Sequence, residues 1–207
     1  MTVDLPPAPE FGAPLDNPPF PEVLRFLATR RSNSAVTLDG PGPGKDELGT
    51  LLRLASRVPD HGKLAPWRFI VLEGPAKAAF AGKLDALAAA RGNTQARAKL
   101  AKLKTPPLAV VVVSSPREGA IPVSEQVLSA GAVCTTLLYA ALAMGYGANW
   151  ITDWYAYDLE AADLLGLAAG ENVAAFILIG TPREPPLERE RPDPDSLVTH
   201  WRAETDL

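Results

Sequence analysis

The amino-acid sequence predicts an α+β domain in which a mixed β-sheet is flanked by helices, one of them long and buried. Three observations carry this. Leu108–Val113 and Ala174–Ile179 are almost purely branched and apolar, as strands covered on both faces are. Strands and helices mix without strict alternation, and no strand leads into a Gly-x-Gly-x-x-Gly turn, so a dinucleotide-binding doubly wound fold is not indicated. Between Glu125 and Asp153 no residue is charged, which predicts a helix over Ser124–Met144 that is buried all round, inside a domain or between two subunits.

The elements follow in chain order. Residues 1–21 contain seven prolines and little hydrophobic periodicity, so 1–20 read as an extended or disordered leader. From Pro21 the pattern is helical, with Val23, Leu24, Leu27 and Ala28 on one face and Arg30-Arg31 at the end, where cations suit the helix dipole. Gly40-Pro41-Gly42-Pro43-Gly44-Lys45 is a loop and not a phosphate loop. Its glycine spacing is one short, Asp46 stands where Ser or Thr would hold a metal, and its prolines lack amide donors.

Leu48, Leu51, Leu52 and Ala55 mark a helix that ends before Pro59. Trp67–Leu72 is a strand, Gly74-Pro75 a turn, Ala76–Arg91 an alanine-rich helix and Asn93–Lys104 a shorter basic one. After the long helix come a short strand at Asn149–Thr152, a helix at Leu159–Leu165 and the last covered strand. Beyond Gly180-Thr181-Pro182 the chain turns proline-rich and charged. It ends in a strand-like piece, Ser196–Trp201, that has nothing nearby to pair with in its own chain and is suited to extend a partner's sheet.

Composition narrows the function. The 207 residues suit one domain with an arm. A net charge of −4 argues against non-specific nucleic-acid binding. Cys134 is the only cysteine and there are two histidines, so neither a disulfide nor a metal centre is expected. No Gly-x-Ser-x-Gly elbow occurs, and a cysteine inside an uncharged helix reads as a small inert hydrophobe. The uncharged stretch is long enough to span a bilayer, yet it contains Ser129, Thr135 and Thr136 and has no companion, so a buried helix is the better reading. With no secretion signal in the first residues, a cytoplasmic protein is expected.

What remains is basic and polar residues at the ends of elements. Arg30, Arg31 and Ser32 follow the first helix, while Arg57, Asp60, His61 and Lys63 gather before the first long strand. Arginine forks match phosphate oxygens and a serine hydroxyl adds a neutral donor, so an anionic, partly aromatic ligand is indicated. Singly, each of these residues reads as surface charge sooner than as part of a site.

Arg30-Arg31-Ser32, then Arg57-Val58-Pro59-Asp60-His61 and Pro66-Trp67, then Gly131, Ala143–Trp150 and Gly180-Thr181-Pro182, form an ordered set. It resembles the nitroreductase family, and within it a small bacterial branch of NAD(P)H nitroreductases, from about Pro21 to Trp201. The resemblance implies an α+β flavoprotein, homodimeric, with FMN sites at the subunit interface and an FMN-binding domain over 21–182. Arg30, Arg31 and Ser32 would hold the phosphate and ribityl chain, Arg57 and His61 would reach the flavin, and Trp150, Ile151 and Thr152 would line it. Ala140–Gly145 would help to receive the nicotinamide. Residues 183–207 would form an arm packed on the partner.

The implied activity is transfer of electrons from NAD(P)H to nitroaromatics, quinones or similar acceptors in a ping-pong cycle, with no catalytic side chain needed because the flavin carries the reaction. A specialised flavin-fragmenting or dehalogenating relative, or a flavin-binding protein without turnover, are the alternatives. Two departures stand out. Lys63 and Ala65 occupy positions where many members carry Asn and Gln near the ring. Arg189 and Arg191 resemble late phosphate-binding arginines, but within Glu188-Arg189-Glu190-Arg191 they read as a solvated charge run.

Overall fold

The computed structural model describes residues 5–202, so residues 1–4 of the expected leader and 203–207 of the expected arm lie outside the described residues. In chain order the elements are α1 (Pro21–Thr29), β1 (Leu38–Asp39), α2 (Lys45–Ala55), β2 (Trp67–Glu73), α3 (Gly74–Ala90), α4 (Thr94–Lys99), α5 (Ala101–Lys104), β3 (Leu108–Ser114), α6 (Val123–Ala143), β4 (Gly147–Ile151), α7 (Leu159–Leu165) and β5 (Asn172–Pro182).

The sheet is built around its two most apolar strands. All seven residues of β3 are buried. Ala109, Val111 and Val113 face one helical layer while Leu108, Val110 and Val112 face the other, as period-two alternation demands. Each such valine contributes roughly 1.5–3 kcal/mol through burial. β5 pairs with β3 from Leu108↔Ile179 to Ser114↔Asn172, and the register shift at Val112/Val113 leaves Ala174 unmatched as a bulge. β2 flanks β3 on the far side, and β4 and β1 share the other edge of β5.

The expected α+β class holds. The sheet, expected to be mixed, is antiparallel at all four of these pairings. Branched-apolar composition reports that helices cover both faces of a strand, and it does not encode strand direction.

α3, α5 and α7 pack on one face of the sheet, with α4 resting on α3 and α5, and α2 and α6 pack on the other. Gly74-Pro75, expected as a turn, opens α3: proline is tolerated in a first turn because its missing N–H needs no partner there. The single helix expected over Asn93–Lys104 is two. The Leu100 and Leu103 amides reach back three residues, to the carbonyls of Arg97 and Leu100, and this tightened turn buries both leucines completely.

α6 differs most from expectation. Val133, Cys134, Leu137, Leu138, Ala140 and Ala141 are buried, but Val127 and Leu128 are exposed and Gly131, Ala132, Thr135, Thr136 and Tyr139 are only half-buried. It is buried on one side and open on the other. By length and composition α6 is apolar enough to cross a membrane, with half of its most hydrophobic window buried within the chain. α1 buries none of its residues, and its apolar face is likewise open. Ser196 and Leu197, expected to be strand-like, lie in a 3-10 turn, and the arm from Glu184 to Arg202 is exposed.

Candidate active site

The first group of site residues begins where α1 stops. Arg30 leaves the helix in extended conformation, and the chain runs through Arg31, Ser32 and Asn33 to a 3-10 turn at Ala35–Thr37. The Arg30 guanidinium lies over the Tyr139 ring of α6, 5.5 Å from its centroid, and Nη2 donates to Ser32 Oγ at 3.2 Å. Its Nε is buried and has no hydrogen-bond partner among the described residues. Leaving a charged donor unpaired in this way is costly. Phe26 packs edge-on against the same tyrosine at 5.6 Å.

β4 is tied to this segment. The Asn33 amide donates to the Ala148 carbonyl at 3.1 Å, and the Asn149 side chain donates to the Asn33 carbonyl. The approach is so close that a Cβ on Gly147 would overlap Leu38 Cδ2 and crowd Asn33, so glycine is required there. Further along β4, Trp150 lies opposite Ile177, on the α6 side of the sheet, and Ile151 packs on the other face.

Arg31 turns outward to the arm, where Nε donates to the Leu187 carbonyl at 2.8 Å and faces the Glu188 carboxylate at 3.7 Å. A cleft of about 500 Å³ lies between Arg31–Ser34, Thr37 and the arm residues Glu184–Leu187. The Glu188 carboxyl is held below its ordinary range by the Arg189 amide, Arg191 and Arg31. Arg191 pairs with Glu188 at 3.0 Å and Arg189 is exposed, as a solvated charge run would have them.

The second group is the loop between α2 and β2. The Asp60 carboxylate accepts from the Leu64 and Ala65 amides at 3.1 and 2.8 Å, clamping a turn in which Gly62, Lys63 and Ala65 all have positive φ (74°, 55° and 46°). For alanine this conformation is strained, and such strain tends to gather at functional sites. α6 anchors the loop twice. Ser129 Oγ donates to the Pro59 carbonyl at 2.6 Å, and His61 Nδ1 meets Glu125 Oε2 at 2.6 Å. Gln126 fastens the neighbouring segment through Arg117 and Ile121, and Ile121 in turn packs beneath Gly62. Arg57 is exposed at the start of the loop.

The residues anticipated from the sequence thus form two groups. Arg30, Arg31 and Ser32 lie together, joined to the start of β4 through Asn33, which is bonded to Ala148 and Asn149. Arg57 and His61 lie elsewhere, on the loop between α2 and β2, where His61 meets Glu125 and Arg57 borders the leader. The α6 positions touching the two groups, Tyr139 and Glu125, lie roughly 21 Å apart at 1.5 Å per residue. Of the residues expected to receive nicotinamide, Ala140 and Ala141 are core, leaving the stretch from Leu142 to Gly145 nearer the surface.

Sequence reading missed Tyr139, Asn33 and Glu125, whose roles depend on contacts between distant segments. Asp60 had a local signal, since Asx residues before glycine commonly brace turns. Burial pushes the Cys134 thiol up to about 12, so it remains protonated and unreactive at neutral pH.

Comparison with known proteins agrees with this architecture. Residues 27–181 match the model of the Nitroreductase family. A protein named "Putative NAD(P)H nitroreductase YdjA" from Escherichia coli K12 is 29% identical over 184 residues, covering 87% of this chain and 100% of that protein. A "Putative NAD(P)H nitroreductase" from Haemophilus influenzae is 33% identical over 171 residues, covering 79% and 90%. Among solved structures, a nitroreductase-like family protein from Bacillus cereus superposes with a TM-score of 0.74 at 19% identity, covering 92% of this chain and all of that one. CinD from Lactococcus lactis, a nitroreductase solved with nicotinic acid, gives 0.68 at 16%, covering 87% of this chain and all of its own. This chain belongs to the nitroreductase family, a family of oxidoreductases.

Proposed function

We propose that the protein is an FMN-dependent oxidoreductase that passes electrons from NAD(P)H to nitroaromatics, quinones or similar electron-poor acceptors. The observation that carries this reading is the Arg30 guanidinium. It is stacked on Tyr139 and joined to Ser32, with a buried Nε still unpaired. A guanidinium fork and a hydroxyl suit a phosphate, and the neighbouring cleft of about 500 Å³ is lined by Arg31 and Ser32. Arg31 already takes an oxygen acceptor from the arm, which supports the same polarity.

FMN, when bound, supplies the hydride acceptor and the electron donor, so the reaction needs no protein nucleophile. The chain's residues bind and tune. Arg30, Arg31 and Ser32 hold the phosphate end. Trp150, on the α6 side of β4, walls the ring, while Ile151, which the resemblance also assigns to it, packs into the core on the other face. Arg57 or His61 supplies a cation toward which negative charge on the ring can develop. Glu125 orients the His61 imidazole through Nδ1, leaving Nε2 free to donate or accept.

A homodimer reconciles the two separated groups. The contacts at Tyr139 and Glu125 are symmetric about Ala132, in the middle of the open face of α6. An antiparallel two-fold crossing there would set Arg30 opposite His61 of the partner subunit. Gly131, Ala132, Thr135 and Thr136 are small enough for close approach, and Val127, Leu128, Val23, Leu24 and Leu27 supply apolar area that is exposed in the single chain. In this reading α6 is an interface helix, the arm beyond Pro182 packs on the partner, and the protein is soluble and cytoplasmic.

The test is the visible spectrum and flavin content of the purified protein. One FMN per chain, released on denaturation, is expected. A protein that is colourless and takes up no FMN on reconstitution would refute the reading.

A further inference from the structure

The leader has no part in the site so far described, and the family match begins only at residue 27. Yet it does not hang free. The Pro6 carbonyl accepts from Arg53 Nη1 at 3.3 Å, and Leu5, Pro6, Pro7 and Pro9 wall a cleft of about 220 Å³ against Arg53, Leu54 and Arg57. Prolines limit the conformations the free arm can adopt, so docking it costs little entropy.

The leader then turns. The Ala13 amide donates to the Glu10 carbonyl at 3.2 Å and Gly12 has φ 81°, the geometry of a turn with glycine at its third position. Phe11 sits at the tip. Phe11 is 99% exposed, and the Lys63 ammonium stands 5.9 Å from its ring centroid. Lys63 belongs to the strained turn clamped by Asp60, next to His61. The leader therefore carries an aromatic ring to the loop assigned to the flavin.

We propose that Phe11 is a specificity-determining residue: with Lys63 it forms a wall of the acceptor slot, favouring planar electron-poor aromatics. An exposed phenyl face stacks on such a ring, and the ammonium beside it meets the nitro or quinone oxygens. Leader and loop belong to one chain and travel together, so the wall reaches whichever ring the loop reaches. This inference rests on the functional reading above.

The experiment measures the dissociation constant of nitrofurazone for the oxidised holoprotein without nucleotide, by equilibrium dialysis. Phe11→Ala, and separately deletion of residues 1–19, should each weaken binding about three- to tenfold, as loss of an aromatic contact does. Phe11→Trp should restore it, with one FMN per chain retained throughout. In turnover, the ratio of KM for nitrofurazone to KM for ferricyanide, which offers no ring to stack, should rise in Phe11→Ala. A flavoprotein whose Phe11→Ala variant binds nitrofurazone like the parent overturns this inference alone. A protein that binds no FMN overturns the functional reading and this inference with it.

Discussion

Arg30 shows how much one residue's setting adds to its identity. As a letter after a helix it marks favourable charge at a C-terminus. In the fold it is stacked on Tyr139, bonded to Ser32 and left with a buried donor to satisfy. Arg30→Ala should lower FMN affinity about ten- to a hundredfold, the range of a lost charge-assisted hydrogen bond, as read by flavin fluorescence on dilution. Arg30→Lys should not restore it, because a point charge cannot replace the stacked fork. Equal FMN affinity in Arg30→Ala and the parent would sink the assignment. The Arg-Arg-Ser triplet was legible because its residues are adjacent. Glu125 was not, since it meets His61 across 64 positions of sequence.

A second residue-scale prediction concerns acid. Glu171, almost buried, accepts two bonds from Arg68 and one each from Ser115 and the Ala168 amide. Arg68, first among these, brings the Glu171 carboxyl down to about 2 from the ordinary 4.5. The unfolded chain therefore binds the proton more readily, and this stabilisation, complete above the ordinary value, is lost as pH falls from 4.5 toward 2. Glu171→Gln should cost roughly 1–2 kcal/mol at neutral pH, reduced because Arg68 is partly exposed, and the deficit should shrink in that acid window. Urea melts across pH test this; a constant deficit would contradict it.

Among the elements, β4 is the one whose position matters most for the site. Gly147 lets it lie against Leu38 and Asn33. Gly147→Ala should cost about 1–3 kcal/mol by overpacking and lower the melting temperature by several degrees. FMN retention should fall in the same variant, because Asn33 fastens the phosphate segment to Ala148. Undiminished stability would show that β4 can shift freely. Most elements were legible from periodicity and composition, down to α7 and the two core strands. The misreadings share a cause. Sheet direction depends on connections that apolar runs do not encode, and the break at Leu100 depends on burying two leucines at once. α6 is apolar on both sides, so its sequence could not tell the face that meets the sheet from the face left open.

At the scale of the whole molecule, the open faces of α1 and α6 leave apolar side chains exposed in the single chain, and the proposed dimer would cover them. Leu128→Glu, at an exposed position on the α6 face, should shift the protein from dimer to monomer and release FMN together. Light scattering with flavin content reads both, and a monomer retaining full FMN would contradict an interfacial site. The proposed activity comes down to reduction, by NAD(P)H, of a flavin held by Arg30, Arg31 and Ser32. Anaerobic titration of the holoprotein with NADH and NADPH tests it most directly. The visible flavin band should bleach with one equivalent per FMN and return on adding a nitroaromatic. A bound flavin that neither nucleotide can bleach would contradict it.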